Sequence, residues 1–278
     1  LSEEKLIFGL TLTIPCMQIA KACLALLLLL HGIVGCAQNR SNWNNKKCAV
    51  ALTYDDALNI HLDKVIPALD SMGFKATFYL IGSSDAFTKR IPEWRKAAAN
   101  GHELGNHTLF HPCYGKRPGR EWVRPDYDLN NYTMLRAVNE IKMNSALLEA
   151  TDGKKRRTLA CPCGDSKVAD SSFLYKVKDD FVAMRDGTPD ADEVNGFGRR
   201  TIQWMSPSNH TGAQLIDAVK RAMESNALVI FVFHGVGGDH SINVSAEAHR
   251  ELLQFLKQNE SQVWVAPFVD IAASMKKQ

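Results

Sequence analysis

Residues 48–82 read "CAVALTYDDALNIHLDKVIPALDSMGFKATFYLIG". The run 48–54 is almost wholly apolar, as suits a strand buried on both faces. Leu62, Val65, Ile66 and Leu69 then recur at three- and four-residue spacing, which predicts a helix over 58–72, and Gly73 supplies a C-terminal stop. A second strand-like run, 75–81, follows. Strand, helix, strand at this length is a βαβ unit, whose two strands lie parallel. The first strand ends in Asp55 and Asp56, side by side. Adjacent carboxylates repel, so either both are solvated or a positive group sits between them.

The same alternation continues through the chain. Further strand patterns fall at 102–106, 157–161, 181–185, 227–233 and 262–266, and helical patterns at 85–100, 131–150, 211–225, 244–258 and 268–276. About seven parallel strands with no internal break imply one α/β domain over 48–278, a distorted (β/α) barrel. The stretch 112–130, rich in Pro, Gly and aromatics, reads as a long functional loop. Such folds carry their chemistry at the C-terminal strand ends. Asp55, Asp56, "NHTLFH" (106–111), "ACPCGD" (160–165), Arg185 and His234 all fall there.

Residues 1–36 differ from the rest. An apolar run from Ala22 to Leu30 follows Lys21 and ends in "GIVGC", the layout of a signal peptide. "IVGC" resembles a bacterial lipobox, with Cys36 as the lipid-bearing residue. Residues 37–47 read as a polar linker. Export, with a membrane anchor at the N-terminus and a periplasmic or outer-surface location, is the expectation. The net charge of +3 lacks the dense basic face with aromatics that nucleic-acid binding needs, and nothing indicates an oligomer. Of the seven cysteines, Cys48, Cys113, Cys161 and Cys163 follow the leader. Their spacing does not resemble a disulfide framework, contains no C-x-x-C zinc motif, and leaves the pairing of Cys113, Cys161 and Cys163 open. Cys48 reads as a small buried hydrophobe.

His107 and His111 are four residues apart, so on a helical turn both imidazoles share a face. Two histidines and one carboxylate form a catalytic metal set with a position left open. The repulsion between Asp55 and Asp56 is then relieved, one binding the cation and the other staying ionised as a base. His234 directly follows an apolar strand, a suitable place for a general acid. His240, in the Gly-rich loop beyond, is expected at the surface.

The segments "TYDDA" (53–57), "GHELGNHTLFHP" (101–112), "CPCGD" (161–165) and "LVIFVFHGVGG" (228–238) together resemble the successive motifs of the polysaccharide deacetylases, the NodB-homology group also called carbohydrate esterase family 4. The resemblance covers about 48–275. It implies Asp55 as catalytic base, Asp56, His107 and His111 as ligands of one divalent metal, zinc or cobalt, and His234 as general acid. It also implies a backbone donor at Cys163 for the oxyanion and Leu228 lining an acetyl-methyl pocket. Ala57 replaces the family's Gly, and Ala160 stands where the family has an Arg that steadies the base. The acidic fourth motif has only "RDGTPDADE" (185–193) and "IQWMSPS" (202–208) as candidates.

The implied reaction is hydrolysis of N- or O-linked acetyl groups on an extracytoplasmic polysaccharide, with Trp122 and Tyr127 stacking on sugar rings. A metal-dependent amidohydrolase of a non-carbohydrate amide, and an inactive glycan-binding lipoprotein, are the alternatives. With Ala160 unable to orient Asp55, Arg185 at the end of its own strand is expected to do so, since a guanidinium is always charged and can hold both carboxylate oxygens.

Overall fold

The computed structural model describes residues 43–185, 195 and 202–275, all within one compact unit, Ser41–Gln278. The leader and lipid-attachment reading on 1–36, and nearly all of the acidic segment after Arg185, lie outside the described residues. The sheet strands are β1 (Cys48–Tyr54), β2 (Thr77–Leu80), β3 (Glu103–Asn106), β4 (Leu159–Ala160), β5 (Met184–Arg185), β6 (Ile202–Met205), β7 (Leu228–Phe233) and β8 (Val263–Val265). The principal helices are α1 (Ile66–Ser71), α2 (Ile91–Ala99), α3 (Met134–Asp152), α4 (Gly212–Ser225), α5 (Ala246–Gln258) and α6 (Phe268–Met275).

Every pairing in the main sheet is parallel, in the order β5-β4-β3-β2-β1-β7-β6. This path of seven strands is a half-barrel: among the described residues β5 and β6 form its two free ends. The eighth strand, β8, pairs with Cys48–Val50 at the start of β1, while β2 pairs with Thr53 and Tyr54 at its end. One strand of the path, β6, was not expected as a strand. It is an incompletely buried edge strand, with Trp204 outward, so it lacks the continuous apolar run that marks its neighbours.

Local chemistry explains the helix limits. The pattern 85–100 divides at Arg90, because Pro92 belongs in the first turn of α2, where its missing N–H is not needed. Thr211 and Gln214 cap α4 reciprocally, a device that contributes about 1 kcal/mol. Leu215, Val219 and Ala222 of α4 and Leu252, Leu253 and Leu256 of α5 bury one face of each helix against the outer side of the sheet.

Alternation along each strand then places the site. On β1, Val50, Leu52 and Tyr54 face the helices, while Ala49 and Ala51 face the barrel interior with Leu228 and Ile230. Asp55 and His234 continue the interior rows of β1 and β7 beyond their C-terminal ends. Two expectations need correction. Residues 43–47, read as linker, are folded onto the domain: Trp43 is fully buried and donates from Nε1 to the Asn226 carbonyl. Leu228 lies in the right row but at the wrong end. Six residues before His234, at about 3.3 Å per residue, puts it roughly 20 Å below the site, buried against Ala49 and Ile202. The interior-row neighbour of His234 is Val232.

Candidate active site

Asp55 and Asp56 answer their mutual repulsion by turning to different partners. Asp55 is buried and follows β1. Arg185, at the end of β5, sends Nη2 to within 2.5 Å of Asp55 Oδ1 and 2.6 Å of Oδ2. The strand holding Arg185 pairs with the one holding Ala160, so the cation reaches across from the next strand. Its guanidinium lies 4.7 Å from the Tyr79 ring, which closes the interior beneath it. Burial works to raise the Asp55 carboxyl, but Arg185, His107 and His234 outweigh it and hold the carboxyl below its ordinary value.

Asp56 sits in the left-handed region with φ 79°, as does Ala57 with φ 56°. These two positive φ values swing the chain sharply off β1 and carry the Asp56 side chain over the strand ends. Ala57 therefore occupies a conformation for which a glycine would be unstrained. Asp56 Oδ1 lies 3.4 Å from His107 Nε2 and 3.3 Å from His111 Nε2. Burial works against its charge, yet the two imidazoles hold its carboxyl well below the usual range.

The histidine orientations suit a cation. His107 Nδ1 sits 2.8 Å from the Ala160 carbonyl, an acceptor, so Nδ1 carries the proton and Nε2 keeps its lone pair toward Asp56. Asp56 Oδ1 is buried and has no hydrogen-bond partner among the described residues. An orphaned carboxylate oxygen facing two imidazole nitrogens is the donor set of a divalent metal, and Asp56, His107 and His111 are close enough to share one ion. The residues fit the group that the sequence implies.

His234 lies on the other side, its Nε2 3.9 Å from Asp56 Oδ2. Burial depresses its imidazole, partly opposed by Asp55 and Asp56. Its backbone carbonyl accepts from Nε2 of buried His61, whose Nδ1 accepts from the Leu58 N–H. His61 thus fixes where His234 starts. The tautomer and the long-range pairing are properties of the fold, and no sequence pattern marked His61.

The long loop is tied down rather than loose. Cys113 and Cys163 form a disulfide, which corrects the expectation that these cysteines make no framework. It joins the segment just after His111 to the turn 162–164, where Cys163 itself has φ 58°. Buried Asp165 accepts from Arg117 and Arg120 and from the Tyr114 N–H, and Arg120 also donates to the Cys163 carbonyl. Trp122 is 57% exposed with its ring centroid 6.0 Å from that of His111, so it stands open beside the site. Tyr127 instead spends one ring face on Phe110, 5.4 Å away, and is half-buried. His240, expected at the surface, is part of the site: its Nε2 is 3.6 Å from Asp56 Oδ2 and its ring stacks on His234.

A polysaccharide deacetylase family model matches residues 42–179. The chain belongs to the polysaccharide deacetylase family. The match spans β1 to β4 and so includes Asp55, Asp56, His107, His111 and Cys163. A peptidoglycan-N-acetylglucosamine deacetylase from Bacillus cereus is 39% identical over 72 residues, 25% of this chain and 25% of that protein. A gellan lyase from a Bacillus species is 25% identical over 253 residues, 82% of this chain but 9% of that protein. The chain therefore spans a quarter or less of the length of these two relatives. A crystal structure assigned to the polysaccharide deacetylases, from Mycobacterium smegmatis, superposes with a TM-score of 0.58 at 15% identity, covering 84% of this chain and 91% of that one. That likeness is one of fold, and polysaccharide deacetylases share this half-barrel.

Proposed function

We propose that this polysaccharide deacetylase domain removes acetyl groups from an extracytoplasmic glycan with the help of one divalent metal, zinc or cobalt. The observation that carries the reading is the separation of two adjacent carboxylates, Asp55 held by Arg185 and Asp56 Oδ1 left facing two imidazole nitrogens. Held by Asp56, His107 and His111, the ion would supply Lewis acidity to water and to the acetyl carbonyl. Asp55, kept ionised and prevented by Arg185 from turning toward Asp56's partners, takes a proton from the attacking water. The turn carrying Cys163 provides a backbone N–H for the oxyanion, a preorganised donor of the kind that contributes most in acyl transfer. His234 gives a proton to the departing sugar nitrogen or oxygen, a step its burial favours because the charged imidazole is disfavoured there. Trp122 offers an open ring face to a sugar.

Export rests on the leader-like segment ending at Cys36, and the Cys113–Cys163 disulfide supports an oxidising compartment. Replacement of Cys36 by Ala should release the protein from the membrane fraction of a bacterial host, and unchanged retention would count against a lipid anchor. The activity itself is tested by acetate release from a panel of acetylated xylan, N-acetylglucosamine oligomers and peptidoglycan, with and without metal. Stripped protein should be inactive and recover with Zn²⁺ or Co²⁺. Asp55→Asn should retain metal yet lose turnover by about 10²–10⁴-fold, and His111→Ala should fail to retain metal. Full activity in metal-free protein, or no acetate from any glycan, would sink the reading.

A further inference from the structure

The segment "GVGGDH" (235–240) is used by none of the steps above, yet it is a built loop. Gly235–Val236 pairs with Asn243–Val244, closed by the Gly235 N–H on the Ile242 carbonyl and the Gly237 N–H on the Val244 carbonyl. The Gly238 N–H donates to Asn243 Oδ1, and Asp239 Oδ2 accepts from the Ile60 N–H. Two positions demand glycine. A Cβ on Gly235 would collide with the Gly238 carbonyl oxygen, and Gly238 has φ +136°. This chain reversal returns His240 over the strand ends, where its ring stacks on that of His234 with centroids 5.0 Å apart and planes at 23°.

The backbone of Ile242 orients the His240 ring. Nδ1 lies 3.0 Å from the Ile242 N–H and 3.4 Å from the Ile242 carbonyl oxygen, and the shorter contact, in which Nδ1 accepts, puts the proton of the neutral ring on Nε2. Nε2 lies 3.6 Å from Asp56 Oδ2, an electrostatic contact beyond hydrogen-bond distance. Its lone pair is engaged at Nδ1, so His240 is not placed as a fourth metal ligand. It is also more open than its neighbour, with 29% of its side chain exposed against 15% for His234. The result is an oriented N–H that faces Asp56 without a hydrogen bond to it, half-open to solvent and one ring-stack away from the general acid.

We propose that His240 is a substrate-contacting residue, whose Nε2–H donates to a hydroxyl or ether oxygen of the same sugar that carries the acetyl group. This rests on the deacetylase reading above and narrows it. The site then recognises the sugar as well as the acetyl group, because His234 and His240 present two parallel donors to neighbouring atoms of one ring. A donor left without its acceptor penalises substrates that lack the oxygen, which is how a polar site discriminates most strongly.

The test compares wild type, His240→Ala and His240→Gln in metal-loaded protein. The substrates are the best acetylated glycan oligomer from the panel and p-nitrophenyl acetate, which has no sugar. Metal affinity is measured by competition with a chromophoric chelator, and the tautomer by ¹⁵N NMR of the imidazole. We expect a Nε2–H signal for His240, metal affinity in His240→Ala within about twofold of wild type, and a preference for oligomer over aryl ester reduced about 10–100-fold, the range for losing a hydrogen bond in a polar site. His240→Gln, which keeps an N–H donor at similar reach, should recover most of that preference. An Nδ1–H tautomer would overturn the proposal. So would a tenfold loss of metal affinity, an equal loss on both substrates, or an unchanged preference. Wild-type protein that cleaves the aryl ester but no glycan would overturn the deacetylase reading and this proposal together, whereas glycan cleavage unaffected in His240→Ala would overturn this one alone.

Discussion

Replacing Arg185 by Met tests the pairing that orients the base. Asp55 and Arg185 are 4% and 7% exposed, so the variant leaves a buried carboxylate without its cation. Breaking a buried ion pair from one side costs about 3–5 kcal/mol, and the stacking of the guanidinium on Tyr79 is lost within that figure. In metal-free protein burial of the His107 imidazole is outweighed by Asp56 and Asp55, which raise it, so a proton taken up on Nε2, 3.9 Å from Asp55 Oδ2, compensates in part and favours the lower end. The assay is guanidinium chloride unfolding of metal-free protein near pH 7, for the single variants Arg185→Met and Asp55→Asn and for the double variant. Because the cost arises from the uncompensated charge, it should shrink in the Asp55→Asn background, giving a coupling of about 1.5 kcal/mol or more. The pH dependence has a definite sign. The folded Asp55 carboxyl lies below its ordinary value, so the pair's contribution is complete above the unfolded carboxyl range of about 3.9 and is lost as pH falls through the folded value. The gap between wild type and Arg185→Met should therefore close in acid, and the acid limb of the variant's pH–rate profile should move to higher pH. A variant within about 0.5 kcal/mol of wild type, or one equally destabilised with and without the Asp55 charge, would refute the reasoning.

The Cys113–Cys163 disulfide closes a loop with a sequence separation of 50, so the double Ser variant should lose about 4 kcal/mol in the chain-entropy account; a loss below about 1 kcal/mol in the same unfolding assay would contradict it. Burial lowers both His61 and His249 to about 4. The unfolded chain then takes up their protons first, so stability should be complete above about pH 6.5 and fall toward pH 4, by up to roughly 1.4 kcal/mol per pH unit per histidine; stability that is flat across that window would contradict it. Trp122→Ala should raise KM for a glycan oligomer about 2–10-fold, the worth of one stacking contact, while metal affinity stays within about twofold; an unchanged KM would remove Trp122 from the binding face.

The sequence by itself determined the strand–helix alternation, and with it a parallel sheet, because buried parallel strands need apolar runs that no solvent-facing segment carries. Alternation further required that Asp55 and His234 prolong the interior rows of their strands. The histidine pair and the adjacent carboxylates were visible as patterns, but the helical turn expected for 107–111 is not formed: Thr108 and His111 take positive φ, and this irregular turn brings the two imidazoles together. Arg185 lay at the border of what could be read. Its place at a strand end was legible, but its partner, 130 residues away, was settled only when β4 and β5 were paired. Tertiary structure alone decided the rest. Leu228 shared the row of His234 but not its height, because Leu228 opens the continuous strand that ends just before His234, and the extent of that strand was needed to place Leu228 at the far end. The incompletely buried edge strand β6 had no apolar signature to show. Cys113 and Cys163 met because the long loop folds back on the turn after β4, a contact across a sequence separation of 50. His240 entered the site through a glycine-dependent loop closed by backbone bonds and by Asn243 and Asp239 side chains accepting from the Gly238 and Ile60 N–H groups, the last of them from a segment 179 residues away, so side-chain pattern could mark the flexibility of that loop but not where its last residue would point.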